Sequence, residues 1–116
     1  MINTSDIDPA VRAAWQVPTF TTPLWLGRQH AWCIVIPVIN EGARIQSLLG
    51  KMAALGIDQV ADIIIIDGGS TDGSLAEHFL LQMKVRGHLL KTGPGKLSAQ
   101  LRCAYAFALD QGYQGI

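Results

Sequence analysis

The feature that most constrains the fold is an uninterrupted apolar run that ends in a cluster of small polar residues. The run covers Ile63 to Ile66, and it is followed by Asp67 and by the segment Gly68 to Gly73. Four β-branched residues in a row are typical of a strand buried on both faces, as in a parallel sheet. In open α/β sheets, ligands bind beyond the carboxyl ends of such strands. The run therefore predicts a buried strand that carries a nucleotide or sugar site at its end.

Predicted strands alternate with predicted amphipathic helices along the rest of the chain. We predict strands over Ala31 to Ile39, Ala61 to Ile66 and Val85 to Leu90, and a fourth strand that opens at Gln114 to Ile116. We predict helices from an N-cap at Asn40 to a stop at Gly56, from about Ser74 to Lys84, and from about Lys96 to Gln111. Such alternation predicts βαβ crossovers. We therefore expect an α/β fold in three layers, with helices on both faces of a mainly parallel sheet.

Particular residues are expected to set the ends and the buried faces of these elements. Pro37 should end the first strand, because proline has no N–H group for a central ladder. Asn40 should cap the helix that follows it, and Ser74 and Glu77 have the spacing of a capping box. The predicted buried face of the first helix consists of Ile45, Leu48, Leu49, Met52 and Leu55. That of the third helix consists of Leu97, Leu101, Ala104, Tyr105 and Ala108.

The first 30 residues are expected to form an irregular N-terminal arm with one helical turn around Pro9 to Trp15. Prolines at positions 9, 18 and 23 interrupt regular structure there. The aromatic residues of the arm either dock on the domain surface or belong to a flexible extension, and the sequence leaves both open. The predicted globular domain therefore covers residues 31–116.

Composition argues against several classes of partner and site. The 9 basic and 9 acidic side chains give a net charge of zero, which offers no general basic field for nucleic acid. No apolar run reaches the ~20 residues of a membrane helix, and the N-terminus does not have the pattern of a signal peptide. Cys33 and Cys103 lack metal-binding spacing and are expected in the core. We therefore expect a cytoplasmic protein, with the inner face of a membrane as the alternative for a longer one.

Two segments that follow predicted strands carry candidate binding residues. Pro37, Asn40 and Glu41 follow the first strand, although an ordinary strand end with a helix cap explains the same residues. The segment Asp67 to Gly73 follows the second strand. A tight turn with a helix cap explains Asp72, but it leaves the first acid and the glycines without a purpose. The second segment is therefore the stronger candidate for a ligand site.

A third candidate segment, Thr92 to Lys96, precedes the last predicted helix. It is not a Walker phosphate loop, because Leu90 and Leu97 stand where that motif needs glycine and Ser or Thr. Lys96 at a helix N-terminus opposes the helix dipole, which costs roughly 0.3–1 kcal/mol when the charge is exposed. A bound anion would reverse that cost. A solvated lysine near a frayed helix end is the plainer explanation.

Taken in order, the three segments resemble those of the inverting family 2 glycosyltransferases, which have the GT-A fold. The matching residues are Pro37, Asn40 and Glu41, then Asp67, Gly69, Ser70, Thr71, Asp72 and Gly73, and finally Gly95 and Lys96. Gly68 departs from the second acid of the family's Asp-Asp-Gly-Ser-Thr-Asp-Gly motif. The similarity covers about Trp32 to Ile116 and includes the polyprenol-phosphate mannosyltransferase-like branch. It implies a Rossmann-like GT-A domain.

The resemblance implies that a nucleotide sugar binds and that its sugar is transferred to an acceptor the sequence does not identify. By the resemblance, Asp67 accepts a hydrogen bond from the nucleobase, Glu41 contacts the nucleoside, and Lys96 lies near the phosphates. The full set of implied binding residues is Pro37, Asn40, Glu41, Asp67, Gly69, Asp72 and Lys96. Complete family members also hold Mg²⁺ or Mn²⁺ through an Asp-x-Asp motif, and we expect no ligands for that metal in this chain.

In the family, the Asp-x-Asp motif and the catalytic base follow the fourth strand, which here opens at Gln114 to Ile116. We therefore expect a partial GT-A domain, truncated at that strand, that does not transfer sugar alone. Its open sheet edge should favour self-association. The alternative is a non-catalytic nucleotide-binding or interaction module. A nucleotidyltransferase is disfavoured, because no glycine-rich loop with arginine follows the first strand.

Overall fold

The computed structural model of the chain describes residues 9–116, so the first eight residues of the expected arm lie outside the described range. In chain order the elements are α1 (Pro9–Ala14), β1 (Phe20–Trp25), β2 (Cys33–Val38), α2 (Ala43–Ala54), a short 3-10 helix (Ile57–Gln59), β3 (Asp62–Asp67), α3 (Glu77–Gln82), β4 (Gly87–Lys91) and α4 (Leu97–Asp110). The predicted helical turn near Pro9 is confirmed as α1. None of the helices in this range is both long enough and apolar enough to cross a membrane.

The four strands form one sheet in the order β1-β4-β3-β2. Strands β2, β3 and β4 are parallel, as expected, but β1 pairs with β4 in the antiparallel direction. The sheet is therefore mixed rather than mainly parallel. Residues 20–25 were predicted to be irregular, and this prediction is wrong because they form a strand. An antiparallel strand is possible here because β1 lies at the sheet edge and needs no crossover helix. Pro23 is tolerated there, beside an irregularity in the pairing between Thr21 and Leu24.

Strand β3 divides the core into two clusters, because successive side chains of a strand point to opposite faces. Ile63 and Ile65 pack with buried residues of the α2 and α3 side, which are Ile45, Leu49, Leu75, Leu80 and Val85. Ile64 and Ile66 pack with buried residues of α4, which are Cys103, Ala104, Phe107 and Ala108. Full burial of one such isoleucine contributes about 1.5–3 kcal/mol. The predicted strand, buried on both faces, is confirmed.

Pro37 does not end the first parallel strand, which continues to Val38. The reason is the position of β2 at an edge of the sheet. Hydrogen bonds from Asp62 N–H to Trp32 O and from Gly68 N–H to Val38 O show which residues of β2 face β3. Pro37 falls between these positions, so its nitrogen faces away from β3, where no N–H group is needed.

A single bridge, and no strand within the described residues, lies at this same edge where the fourth strand was expected. Trp32 forms a parallel bridge with Gly115, Cys33 N–H donates to the carbonyl of Gly115, and Gln114 N–H donates to the carbonyl of Ala31. The remainder of β2 has no strand on its outer side within residues 9–116.

Two predicted helix caps are wrong. Asn40 has a left-handed backbone with a φ of 48°, and the N-cap of α2 is Gly42. Ser74 does not cap α3, whose N-cap is Ala76. The Asn40 side chain bonds to the loop after β3, whereas the Ser74 hydroxyl donates to Asp72 within its own loop. Because Ser74 does not cap it, α3 begins later than predicted.

The buried face of α4 is rotated from the predicted one. Leu97 and Tyr105 are exposed, and the buried positions include Gln100, Cys103, Ala104, Phe107 and Ala108. Phe107 packs edge-to-face with two aromatic rings of β1, at centroid distances of 6.3 Å to Phe20 and 4.8 Å to Trp25. Because the prediction left β1 out of the sheet, it lacked the partner that turns Phe107 inward.

Residues 26–32 connect β1 to β2 across the amino end of the sheet. The side chain of Arg86 donates to the carbonyl groups of Leu26 and Gly27. Fully buried Asp62 accepts hydrogen bonds from the N–H groups of residues 29–30 and from the hydroxyl of Tyr113. This end of the sheet is therefore closed by long-range polar contacts.

Candidate functional site

A cleft opens beyond the carboxyl ends of the three parallel strands. Its volume is about 390 Å³, within the range of about 300–1,000 Å³ that is usual for ligand sites. It is lined by Pro37, Val38, Ile39, Glu41, Gly68, Lys91, Gly95, Lys96, Leu97 and Gln100. The lining therefore comes from the loops after all three strands and from the start of α4.

The parallel register brings the three predicted segments together. Val38 lies beside Asp67, and Asp67 lies beside Leu90, so the strands end level with one another. Three of the predicted site residues line the cleft, namely Pro37, Glu41 and Lys96. The other four are absent from the lining and hold the adjoining loops, namely Asn40, Asp67, Gly69 and Asp72.

Asn40 joins the loop after β2 to the loop after β3. Its backbone N–H donates to the hydroxyl of Ser70 at 3.0 Å. Its side-chain oxygen accepts a hydrogen bond from the backbone N–H of Thr71 at 2.7 Å. Asparagine tolerates the left-handed backbone that this position requires better than most residues. The side chain that was predicted to cap α2 therefore fixes the relative position of two loops.

Asp72 makes a second connection between the same two loops. One carboxylate oxygen accepts a hydrogen bond from Gly42 N–H at 3.0 Å, and the other accepts from the hydroxyl and the N–H of Ser74. The hydrogen bonds from Ser74, together with that from Gly42, lower the pKa of Asp72. These hydrogen bonds hold the two loops together, and the exposed carboxylate places a negative charge at the N-terminus of α2.

The carboxylate of Asp67 is buried beneath the loop that follows β3. Its Oδ1 accepts hydrogen bonds from the N–H groups of Gly69 and Ser70 at 2.9 and 2.7 Å, and its Oδ2 lies 3.0 Å from Nε2 of His88. Burial alone would raise the pKa of Asp67, but the hydrogen bonds from His88, Ser70 and Gly69 outweigh burial and lower it to about 2. Gly68, rather than Asp67, faces the cleft. Nothing in the sequence marked His88 as a partner.

One end of the cleft is cationic. Lys96 is exposed and directly precedes α4, whose N-terminus carries no side-chain cap. Lys91 lines the same cleft and donates to the carbonyl of Gly93 at 2.8 Å. Gly95 has a φ of 108°, and a Cβ atom there would lie 2.5 Å from that of Ala99, so this turn requires glycine. Free N–H groups at a helix N-terminus attract anions, and this end is suited to a phosphate group.

Gln100 is a buried polar residue of the lining that the sequence prediction missed, as it missed Lys91. Its side chain is buried, and Nε2 donates to the carbonyl oxygens of Val38 and Ile66, both at 3.1 Å. It therefore bridges the ends of β2 and β3. The available signal was its helical spacing from Cys103, Ala104 and Phe107, which puts a polar residue on the buried face of α4.

The residues of the cleft do not fit a divalent metal. Glu41 is the single carboxylate in the lining among the described residues, and residues 9–116 contain no cluster of three or more His, Cys, Asp or Glu side chains. The two cysteines are buried in the core, as predicted. The metal that the resemblance implies therefore has no ligand set in this part of the chain.

Comparison with known proteins gives no information on function. No family model, curated protein or solved structure matches this chain. The resemblance to family 2 glycosyltransferases therefore stays an expectation that rests on the three sequence segments named above.

Proposed function

We propose that this chain binds a nucleotide sugar in the cleft and is the donor-binding portion of a family 2 glycosyltransferase. In the whole enzyme the sugar would pass from the nucleoside diphosphate to an acceptor. The observation that carries the proposal is that residues of all three segments line one cleft, namely Pro37 and Glu41 of the first, Gly68 of the second and Lys96 of the third. The same cleft would serve a non-catalytic nucleotide-binding module, which differs from the first proposal in turnover and not in binding.

The cationic end of the cleft suits the diphosphate. Lys96 is at the uncapped N-terminus of α4, and Lys91 lines the same cleft. A diphosphate there would accept hydrogen bonds from the helix N–H groups and interact favourably with both ammonium groups. It would also remove the unfavourable interaction between Lys96 and the helix dipole.

The remaining walls suit a nucleoside. Ile39 and Leu97 expose apolar surface in the lining, against which the faces of a base can pack. Glu41 forms an ion pair with Arg44 at 3.3 Å, but the arginine side chain is 87% exposed, so the pair adds little stability. The Glu41 carboxylate is thus free to accept hydrogen bonds from nucleoside hydroxyl groups.

The proposal is tested by titrating the chain with UDP-glucose, GDP-mannose and ADP-glucose in a calorimeter. We expect one of the three to bind measurably. Lys96→Ala should weaken that binding by about 3–10-fold at low salt, because it removes one charge contact with the phosphates, and by less at high salt.

Lys51→Ala is the matched control, because Lys51 is an exposed lysine at the end of α2 that does not line the cleft. It should leave the affinity unchanged. Failure of all three nucleotide sugars to bind contradicts the proposal, and so does an equal loss for the two lysine variants.

A further inference from the structure

The carboxamide of Gln100 is a buried polar group in the cleft whose hydrogen-bonding capacity is only partly used. The residue is 5% exposed. Its Nε2 donates to two strand carbonyls, those of Val38 and Ile66. A glutamine amide has two N–H groups, so both donors are taken.

The remaining capacity of this side chain is that of an acceptor. Both hydrogen bonds of this side chain are made by Nε2. Among residues 9–116, Oε1 has no hydrogen-bond partner. The strand carbonyls also determine which end is the oxygen, because a flipped carboxamide would place it against two other oxygens. A buried acceptor without a partner is unfavourable, and Gln100 lines the cleft. A ligand group with an N–H or O–H would satisfy it.

Gly68 makes the space that this carboxamide occupies. A Cβ atom at position 68 would lie 3.1 Å from Cδ and Nε2 of Gln100 and 3.4 Å from Oε1. Contacts of this length are too close for an undisturbed side chain. Position 68 is also where the chain departs from the two consecutive acids of the motif. The absence of an acid at position 68 therefore leaves room for the buried carboxamide of Gln100.

We propose that Oε1 of Gln100 accepts a hydrogen bond from the base edge of the bound nucleotide, and so contributes to selectivity among bases. This inference rests on the proposed function. Gln100 lies one helical turn further along α4 than Lys96, to which it is joined by a backbone hydrogen bond. An acceptor oxygen repels phosphate oxygens but attracts the N–H donors of a base edge. These donors lie at different positions in the four bases, at N3 in uracil, N1 and N2 in guanine, N6 in adenine and N4 in cytosine, so an oxygen fixed in the protein favours one base over the others.

The first experiment measures dissociation constants of UDP, GDP, ADP and CDP for the wild type and for Gln100→Met, which keeps the length of the side chain but removes the acceptor. We expect the preferred nucleotide to lose about tenfold or more in affinity, while the weaker ones change little. Gln82→Met is the control, since Gln82 is an exposed residue of α3, and it should change no affinity.

A second measurement uses the wild type alone, so that a folding defect in Gln100→Met cannot hide the answer. The preferred nucleotide is compared with its analogue in which the base-edge N–H is methylated, such as N3-methyl-UDP for UDP. We expect the analogue to bind the wild type about tenfold more weakly.

Unchanged binding of both the Gln100→Met variant and the methylated analogue overturns this inference and leaves the proposed function standing. Failure of all four nucleotides to bind the wild type overturns both.

Discussion

Strand β3 carries a buried carboxylate at each end, and the two have different surroundings. Asp62 accepts hydrogen bonds from the backbone of residues 29–30 and from Tyr113, which are distant in sequence. Asp67 accepts them from its own turn and from His88. The first acid closes the amino end of the sheet, and the second holds a loop beside an open cleft. Two aspartates of one strand therefore have different roles: Asp62 stabilises the fold at one end, and Asp67 positions a loop of the candidate site at the other.

The largest effect is expected from Asp62→Ala. The change leaves the N–H groups of residues 29–30 and the hydroxyl of Tyr113 without their shared acceptor, which should lower the free energy of unfolding by about 3–5 kcal/mol. Nucleotide affinity of the folded fraction should not change. Urea denaturation measures the first quantity and calorimetry the second. A loss below about 1 kcal/mol would show that the amino end does not depend on this acid.

At the carboxyl end, we expect an effect that depends on pH. The pKa of Asp67 falls from 3.8 to about 2 on folding. Its contribution to stability is therefore present above pH 3.8 and is lost as the pH falls toward about 2. The loss should amount to about 2 kcal/mol.

Denaturation series between these pH values check this contribution. The variant Asp67→Asn should remove most of the slope, whereas Asp110→Asn, an exposed acid at the end of α4, should keep it. Equal slopes in Asp67→Asn and the wild type would contradict the role of the His88 and turn hydrogen bonds.

Gly68→Ala tests the close packing at the floor of the cleft. The new Cβ atom would lie 3.1 Å from the Gln100 carboxamide, and relief of that contact should cost about 1–2 kcal/mol of stability. The double variant Gly68→Ala, Gln100→Ala should lose less than the sum of the two single losses. Additive losses in a double-mutant cycle would mean that the two residues do not compete for space.

The smallest effect is expected from the exposed connection between the loops. Asn40→Gly keeps the left-handed backbone but removes the bond to Thr71, at a cost of about 1 kcal/mol. Asn40→Ala should cost more, because alanine tolerates a φ of 48° poorly. Thermal melts of both variants measure the difference. A larger loss for glycine than for alanine would contradict the backbone explanation.

The parallel part of the sheet could be predicted because its signals are local. The run Ile63 to Ile66 has no plausible position except an interior strand, and the level ends of parallel strands then bring three distant loops together. The convergence of Pro37, Glu41 and Lys96 followed from that topology without any knowledge of their side-chain contacts.

The errors concern residues whose partners are remote in sequence. Phe20–Trp25 looks like an irregular arm until its partner strand, Gly87–Lys91, is known. Because β1 was left out of the predicted sheet, the buried face of α4 was also predicted wrongly, and Gln100 was not identified as part of that face. Asn40 fits a helix cap by local rules, and only the neighbouring loop reveals that its acceptor belongs to Thr71.

The pairing of β1 with β4 has a consequence for synthesis on the ribosome. Thr19 and Thr92, which meet where these strands join, are 73 positions apart. Strand β1 must therefore wait until residues 87–91 have emerged from the ribosome before it can pair with β4. Pro23 has no N–H group to donate, which disfavours pairing of this waiting strand with another chain. A nascent chain halted before Lys91 should thus remain open to protease at residues 20–25, and protection there should report the last step of folding.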